Sequence, residues 1–221
     1  MQSEGSPSLE SPLSVGEAIE VRRSVKHFHP DPIDPQILDQ LVNWTLAAPS
    51  SWNFQPWRIV LVQSEEKRRE LHQAAFRQPQ IIEAPVTFVF ATDIDAWEED
   101  LSPMVEQARS AGAWPDAYCE IAMNVAPQSQ QALREHGLLR EYAIKDAMIA
   151  ATHTALAAQS VGLGSTFMNG YLESEVKKII GVADQENIAI AVLLPIGHPQ
   201  EVPINPGRFP ASERVFRDSL P

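Results

Sequence analysis

Ala48-Pro49-Ser50-Ser51-Trp52-Asn53-Phe54-Gln55-Pro56-Trp57 is a proline-bounded segment that sets two hydroxyls and two carboxamides among aromatic rings. Hydroxyls and carboxamides can read the edge of a planar heterocycle while apolar atoms cover its faces. Upstream, Arg22-Arg23-Ser24-Val25-Lys26 packs three cations and a hydroxyl into five residues of a chain whose formal net charge is −12. Charge-assisted hydrogen bonds from such a cluster suit a phosphate. The two segments together describe a nucleotide-like ligand with a charged tail and a flat head.

Around these segments the pattern alternates helices with short apolar strands. Ser14-Val15-Gly16-Glu17 has capping-box spacing and predicts a helix that carries Ile19 and Val21 inward and ends near Arg23. The basic cluster then lies at a helix exit, the negative pole of the macrodipole, where side chains and not backbone must attract a phosphate. Asp34-Pro35 caps a second helix with Ile37, Leu38, Leu41 and Val42 at helical spacing, running to about Ala48 and stopped by Pro49. Residues 57–63 predict a strand whose run Ile59-Val60-Leu61-Val62 is buried on both faces. Residues 64–66 open a helix with acids in its first turn, and residues 85–91 form the next strand.

Residues 97–140 predict helix with breaks at Gly112, Pro115 and Pro127. The helix over residues 141–160 is apolar nearly all round, apart from Thr152, His153 and Thr154, and so belongs at the centre or at a subunit interface. Gly162 ends it. A short strand over 165–168, a helix over 174–180 closed by Gly181 and a last core strand over 188–196 follow. The sum is one α+β domain over residues 14–221, a sheet with helices around it and no internal repeat or boundary.

Composition bounds the function. A chain of 221 residues with 44% hydrophobic residues buries one substantial core. A net charge of −12 excludes a broad nucleic-acid surface, which needs cations to displace counterions along the polyanion. The single Cys119 excludes a disulfide framework and a cysteine-rich metal site, and suits a reducing compartment. No stretch approaches the roughly 20 apolar residues of a membrane span. Residues 1–13, rich in Ser, Glu and Pro, read as a flexible tail without the basic start and apolar run of a signal peptide, which points to the cytoplasm.

Three other chemistries are disfavoured by spacing. Gly162-Leu163-Gly164 follows a helix and lacks the third glycine of a dinucleotide fingerprint. The six histidines are scattered without a pair at i and i+4 beside a third metal ligand. Ser50-Ser51 has no flanking glycines and is no nucleophile elbow.

Further landmarks follow in order. Lys145-Asp146-Ala147 opens the alanine-rich stretch to Ser160; then come Val161-Gly162-Leu163-Gly164-Ser165-Thr166-Phe167-Met168-Asn169-Gly170-Tyr171, Pro195-Ile196-Gly197-His198-Pro199 and Arg208. With the two opening segments, this series resembles the nitroreductase family of FMN-dependent oxidoreductases over residues 15–210. Two departures stand out: residues 95–142 fit no pattern, and Pro206 stands where the family has a cation two positions before the late arginine.

The resemblance implies a central mixed or antiparallel sheet surrounded by helices, and a homodimer whose C-terminal arm, residues 202–221, extends onto the partner. It implies FMN as cofactor, and NAD(P)H and a small aromatic or quinone-like acceptor taking turns in one pocket by ping-pong kinetics, without a catalytic side chain. Arg22 and Ser24 with Arg208 would hold the phosphate, and Arg23 and Lys26 would lie toward phosphate, ribityl or pyrimidine. Ser50, Asn53 and Gln55 would face the isoalloxazine from the other subunit or the ribityl chain, and backbone around Met168, Asn169 and Gly170 would meet its reactive edge. Residues 95–142 would form a lid and decide the substrate, with Trp97, Trp114 and Tyr118 as candidates for stacking. The same site supports reductive dehalogenation, enone reduction or flavin fragmentation. A non-enzymatic flavin-binding redox sensor is the reading from another class.

Overall fold

In a computed structural model, the described residues are 12–220; the expected tail lies outside them except for its last two residues. Helix α1 spans Val15–Val21, strand β1 Phe28–His29, α2 Pro35–Leu46, β2 Trp57–Val62, α3 Glu65–Ala74, α4 Pro79–Glu83 and β3 Val86–Asp93. Then come α5 Ser102–Ser110, α6 Asp116–Glu135, α7 Leu139–Ser160, β4 Gly164–Ser165, α8 Glu173–Ile179 and β5 Ile188–Pro199. Among the described residues no helix is long and apolar enough to cross a membrane.

The strands form one antiparallel sheet in the order β1-β5-β3-β2, with β4 also paired to β5. The longest strand, β5, is buried along Ile188–Gly197 because it has β3 on one side and β1 and β4 on the other. Phe88, Phe90, Leu194 and Ile196 pack with Leu41 and Trp57 into the larger core. Helix α7 lies at the centre of that core, against β5, β3 and α2, and buries Ala147, Ala150, Ala151, Ala155 and Ala158. Alanines let a helix approach a sheet closely, and of the two places expected for this helix, the centre or a subunit interface, it takes the centre.

The capping box forms as the spacing predicts: Glu17 accepts from the Ser14 backbone N–H at 2.8 Å and the Ser14 hydroxyl accepts from the Glu17 N–H at 3.3 Å. Ile19 and Val21, however, point outward, at 57% and 42% exposure, and Ala18 is the buried residue of α1. A two-turn helix rests on α7 through one small residue, and its larger apolar side chains face away. The run Ile59–Leu61 is only half-buried: β2 pairs with β3 on one side and with no strand among the described residues on the other.

Pro127 does not break its helix. It lies inside the twenty-residue α6, where its ring nitrogen cannot donate to the carbonyl four residues earlier, but one lost bond does not end a helix of that length. Gly112 and Pro115 do mark the break between α5 and α6. The strand expected over 165–168 shortens to β4 and an isolated bridge between Met168 and Leu193. Among the described residues past 200 there is no regular element except a 3-10 turn at Ala211–Glu213.

Candidate functional site

The basic cluster is built where α1 stops. Arg22 caps that helix, its backbone N–H donating to the Ala18 carbonyl at 3.0 Å. The chain then runs beside β4: Ser24 pairs with Ser165, and the Val25 N–H donates to the Ser165 carbonyl at 3.1 Å. This approach explains Gly164, where a Cβ would come within 2.5 Å of Val25 Cγ2. Gly162, at φ +80°, ends α7 in the left-handed region that glycine adopts freely. The Gly-Leu-Gly segment therefore serves a helix stop and a close packing, not a dinucleotide.

Three arginines meet without acids between them. Arg22 is half-buried, and its pKa is lowered first by burial and then by the charges of Arg208 and Arg23. Among the described residues, Arg22, Arg23, Lys26 and Arg208 make no ion pair with Asp or Glu. Arg22 Nη1 and the Ser165 hydroxyl are buried and have no hydrogen-bond partner among the described residues. Buried donors in that state cost free energy until something accepts from them. A repelling group of cations with an orphaned donor fits a phosphate, and through it the monophosphate tail of FMN.

From β4 the chain passes Met168, buried and doubly bonded to Leu193 at 2.9 and 3.1 Å, to the exposed Asn169 and to Gly170. The Gly170 carbonyl accepts from Gln78 Nε2 at 3.0 Å. A Cβ on Gly170 would meet that same nitrogen at 3.0 Å, so the segment is held against the corner between α3 and α4.

The aromatic segment folds into a 3-10 turn, Ser51–Asn53, with three side-chain-bearing residues in the left-handed region: Trp52 at φ 51°, Asn53 at 61° and Gln55 at 49°. Such backbone is strained for bulky residues and persists only when surroundings fix it. The fixing group is Asp146 of α7, whose carboxylate accepts from the Ser51 N–H at 3.1 and 3.2 Å and from the Ser51 hydroxyl at 3.3 Å. Burial raises the Asp146 pKa, and the bonds from Ser51 lower it in opposition. The Ser50 hydroxyl in turn accepts from the Gln55 N–H at 2.9 Å. Asp146 was absent from the expected site residues. The signal for it was a lone acid among buried alanines, since a buried carboxylate requires partners.

Ser50, Asn53 and Gln55 line an open cleft of about 640 Å³ together with Trp52, Trp114 and Tyr118. Trp114 comes from the link between α5 and α6 and Tyr118 from the first turn of α6, so the unclassified middle of the chain does reach this loop. Trp97 does not join them: its ring lies under the Arg134 guanidinium at 4.7 Å, beside the small cavity next to Asp146. None of Arg22, Arg23, Ser24, Lys26, Met168, Asn169, Gly170 or Arg208 lines the cleft. Within the single chain the expected residues thus fall into two groups: the cations beside β4, and the amides and hydroxyls of the cleft.

Known proteins place this architecture. An NADH dehydrogenase of Thermus thermophilus is 31% identical over 194 residues, 88% of this chain and 90% of its own. An FMN reductase [NAD(P)H] of Bacillus subtilis is 26% identical over 85% of this chain and 67% of its own. A protein of Exiguobacterium sibiricum solved in complex with FMN shares the fold with a TM-score of 0.81 at 21% identity, covering 96% of this chain and all of that one. The nitroreductase family pattern itself matches residues 19–198, from within α1 to near the end of β5. That span takes in every strand and both segments on which the sequence reading rests, and this chain belongs to the nitroreductase family.

Proposed function

We propose that the chain is an FMN-dependent oxidoreductase that works as a homodimer and passes electrons from NAD(P)H to nitroaromatics, quinones or a related electrophile. The observation that carries this reading is the orphaned cationic group: Arg22, pressed by Arg208 and Arg23 and lacking an acceptor for a buried donor, fits a phosphate dianion. Family membership and the FMN- and NAD(P)H-linked names of its relatives support the same reading.

Arg22, Ser24 and Arg208 hold the phosphate, and they do so away from the reacting atoms, so their contribution is binding and register. Arg23 and Lys26 add positive charge on the phosphate, ribityl or pyrimidine side. Ser50, Asn53 and Gln55 orient the ring system, and the backbone of Met168, Asn169 and Gly170 borders its reactive edge. Bound FMN supplies the two-electron hydride chemistry that no side chain of this protein offers. For a quinone the balance is quinone + NAD(P)H + H⁺ giving hydroquinone + NAD(P)⁺.

The split of the candidate residues into two groups supports a site completed by a second copy. So does the exposed apolar surface: Val15 and Ile19 of α1, and Val202, Ile204 and Phe209 of the arm, are all more than half exposed. Obligate dimer interfaces cover such surface. A buried lone Cys119 and an acidic balance suit the reducing cytoplasm.

The test is an anaerobic absorbance titration of purified protein. A yellow protein that bleaches with NADH or NADPH and recolours with a nitroaromatic or quinone meets the expectation, and its heat-released chromophore should run as FMN on chromatography. Flavin absorbance that ignores both donors would sink the oxidoreductase reading, and FAD as the chromophore would sink the single-phosphate assignment.

A further inference from the structure

Beside the strained turn, where Asp146 holds it, lies a cavity of about 20 Å³. Three polar side chains line it, each from a different element: Trp97 of the 3-10 turn Ala96–Glu98, Gln130 of α6 and Asp146 of α7. The Trp97 Nε1–H is buried and has no hydrogen-bond partner among the described residues. Its ring is not free to swing and find one, because the Arg134 guanidinium lies over it at 4.7 Å and is itself paired to Asp95 at 2.6 Å and to Glu98. Gln130 is 6% exposed and carries a carboxamide that both donates and accepts.

Asp146 has the complementary need. It is 7% exposed, and its bonds from Ser51 run from 3.1 to 3.3 Å, long for donors to a carboxylate. Oδ2 receives only the Ser51 N–H, which it shares with Oδ1, so it keeps room for another donor. The second carboxylate on the cavity wall, Asp93, is already supplied by Arg58 at 3.5 Å and Asn187 at 2.8 Å. The remaining ionisable group there is Tyr142, whose ring lies under Lys145 at 5.3 Å. Asp146 is the group left short of donors.

We propose that this cavity binds one water molecule, which accepts from the Trp97 indole, donates to the Asp146 carboxylate and completes its bonds with Gln130. Trp97 and Gln130 are then positioning residues for the turn that carries Trp52 and Asn53, and they act on it through the water, Asp146 and Ser51. Size and partners both fit. A buried water needs about 10–15 Å³ of such space and about three polar partners, and the cavity offers both. An adjoining cleft of about 360 Å³ shares Ser51, Gln130 and Tyr142 with the cavity and gives solvent a way in. The link ties α6 to α7 at a point where no direct hydrogen bond from Trp97 does so.

Two NMR measurements on the full chain test this. In the unaltered protein the Trp97 indole N–H, identified by its loss in Trp97→Phe, should show a nuclear Overhauser contact to a long-lived water. The carboxyl carbon of Asp146 is then followed against pH. Trp97→Phe and Gln130→Met should each move its midpoint upward by about one unit, since a hydrogen bond given to the ionised form is lost. Exchange of the Ser51 amide hydrogen should quicken about tenfold in the same variants. Trp97→Phe also enlarges the cavity, whereas Gln130→Met nearly keeps its volume, so the second variant separates hydrogen bonding from packing. Leu139→Met alters the same wall without touching a polar group and should change neither readout.

A Trp97 indole N–H with no water contact in the unaltered protein would overturn the inference, and that measurement stands even if a variant fails to fold. So would an Asp146 midpoint unmoved by Gln130→Met, or one moved as far by Leu139→Met.

Discussion

Asp146 accepts hydrogen bonds from both the backbone N–H and the hydroxyl of Ser51, a residue 95 positions away in sequence, and so ties the central helix α7 to the strained turn that carries Trp52 and Asn53. The tie makes the turn's geometry a property of the helix and not of the loop. Asp146→Ala leaves the Ser51 N–H without its acceptor, at a cost of about 1–3 kcal/mol. Chemical denaturation should show that loss, and flavin content should fall with it. Undiminished stability and flavin content in Asp146→Ala would refute the tie. Burial also raises the Asp146 pKa. Between the ordinary carboxylate range and that raised value the folded chain keeps a proton that the unfolded chain has released, so stability falls as pH rises through the window. Asp146→Asn keeps an acceptor for Ser51 and should abolish that slope.

Arg22 and Arg208 repel each other in the absence of an anion, and burial adds to the strain on Arg22. Replacing either by Ala should weaken FMN binding by about 1.5–3 kcal/mol, the range for hydrogen bonds to charged groups, while leaving the flavin-free protein no less stable. Inorganic phosphate should raise the melting temperature of the flavin-free parent and not that of the double variant, because only the parent's folded state binds it. Full flavin occupancy of Arg22→Ala/Arg208→Ala in dilute solution would put the phosphate elsewhere.

Tyr171 donates its hydroxyl to the Ile190 carbonyl at 2.9 Å, and burial, with the nearby Glu173 carboxylate, pushes its pKa from 10.0 up to about 12. Over that interval the unfolded chain loses the phenolic proton and the folded chain retains it. Stability contributed by Tyr171 is therefore complete below pH 10 and declines toward pH 12. Tyr171→Phe should be less stable than the parent at neutral pH, by about 0.5–1.5 kcal/mol for the lost hydrogen bond, yet decline less steeply in alkali. Parallel stability curves for the two proteins would contradict this account.

The segment beyond residue 200 is exposed almost throughout and holds Arg208 together with the apolar Val202, Ile204 and Phe209. Deletion from residue 207 onward should lower both flavin content and dimer stability, read by sedimentation and by thermal melting. A truncated protein that sediments as a flavin-loaded dimer with unchanged melting temperature would count against the arm.

The readable parts of this protein were those in which a local rule acts alone. Ser14, Asp34 and Ser64 cap the helices that their side chains predict, and each accepts from a backbone N–H of the first turn. The alanine-rich α7 was legible as a helix that must be covered, because its small apolar residues pack closely against the sheet. What stayed hidden depended on neighbours distant in sequence. β1 is two residues long and exists because β5 extends past Ile196 to meet it. The direction of Ile19 is set by the contact of Ala18 with α7, and the exposure of Ile59 by the missing neighbour of β2. At the candidate site, the arginines and the amide loop were legible as residue types with a shared chemical purpose. Their separation into two groups was not, since it belongs to the path of the chain around the sheet, and neither was the hold of Asp146 on Ser51.

The open side of β2 has a consequence for handling the protein. Trp57-Arg58-Ile59-Val60-Leu61-Val62 is a short, proline-free, strand-forming run with one charge and an unpaired row of backbone N–H and C=O groups. Such a row is a template for adding a like strand from another molecule. Arg58, drawn to Asp93 and Glu99, is the single gatekeeper along it. Neutralising that residue, or refolding the chain at high concentration before its surface is covered, invites stacking of identical edges into insoluble aggregates.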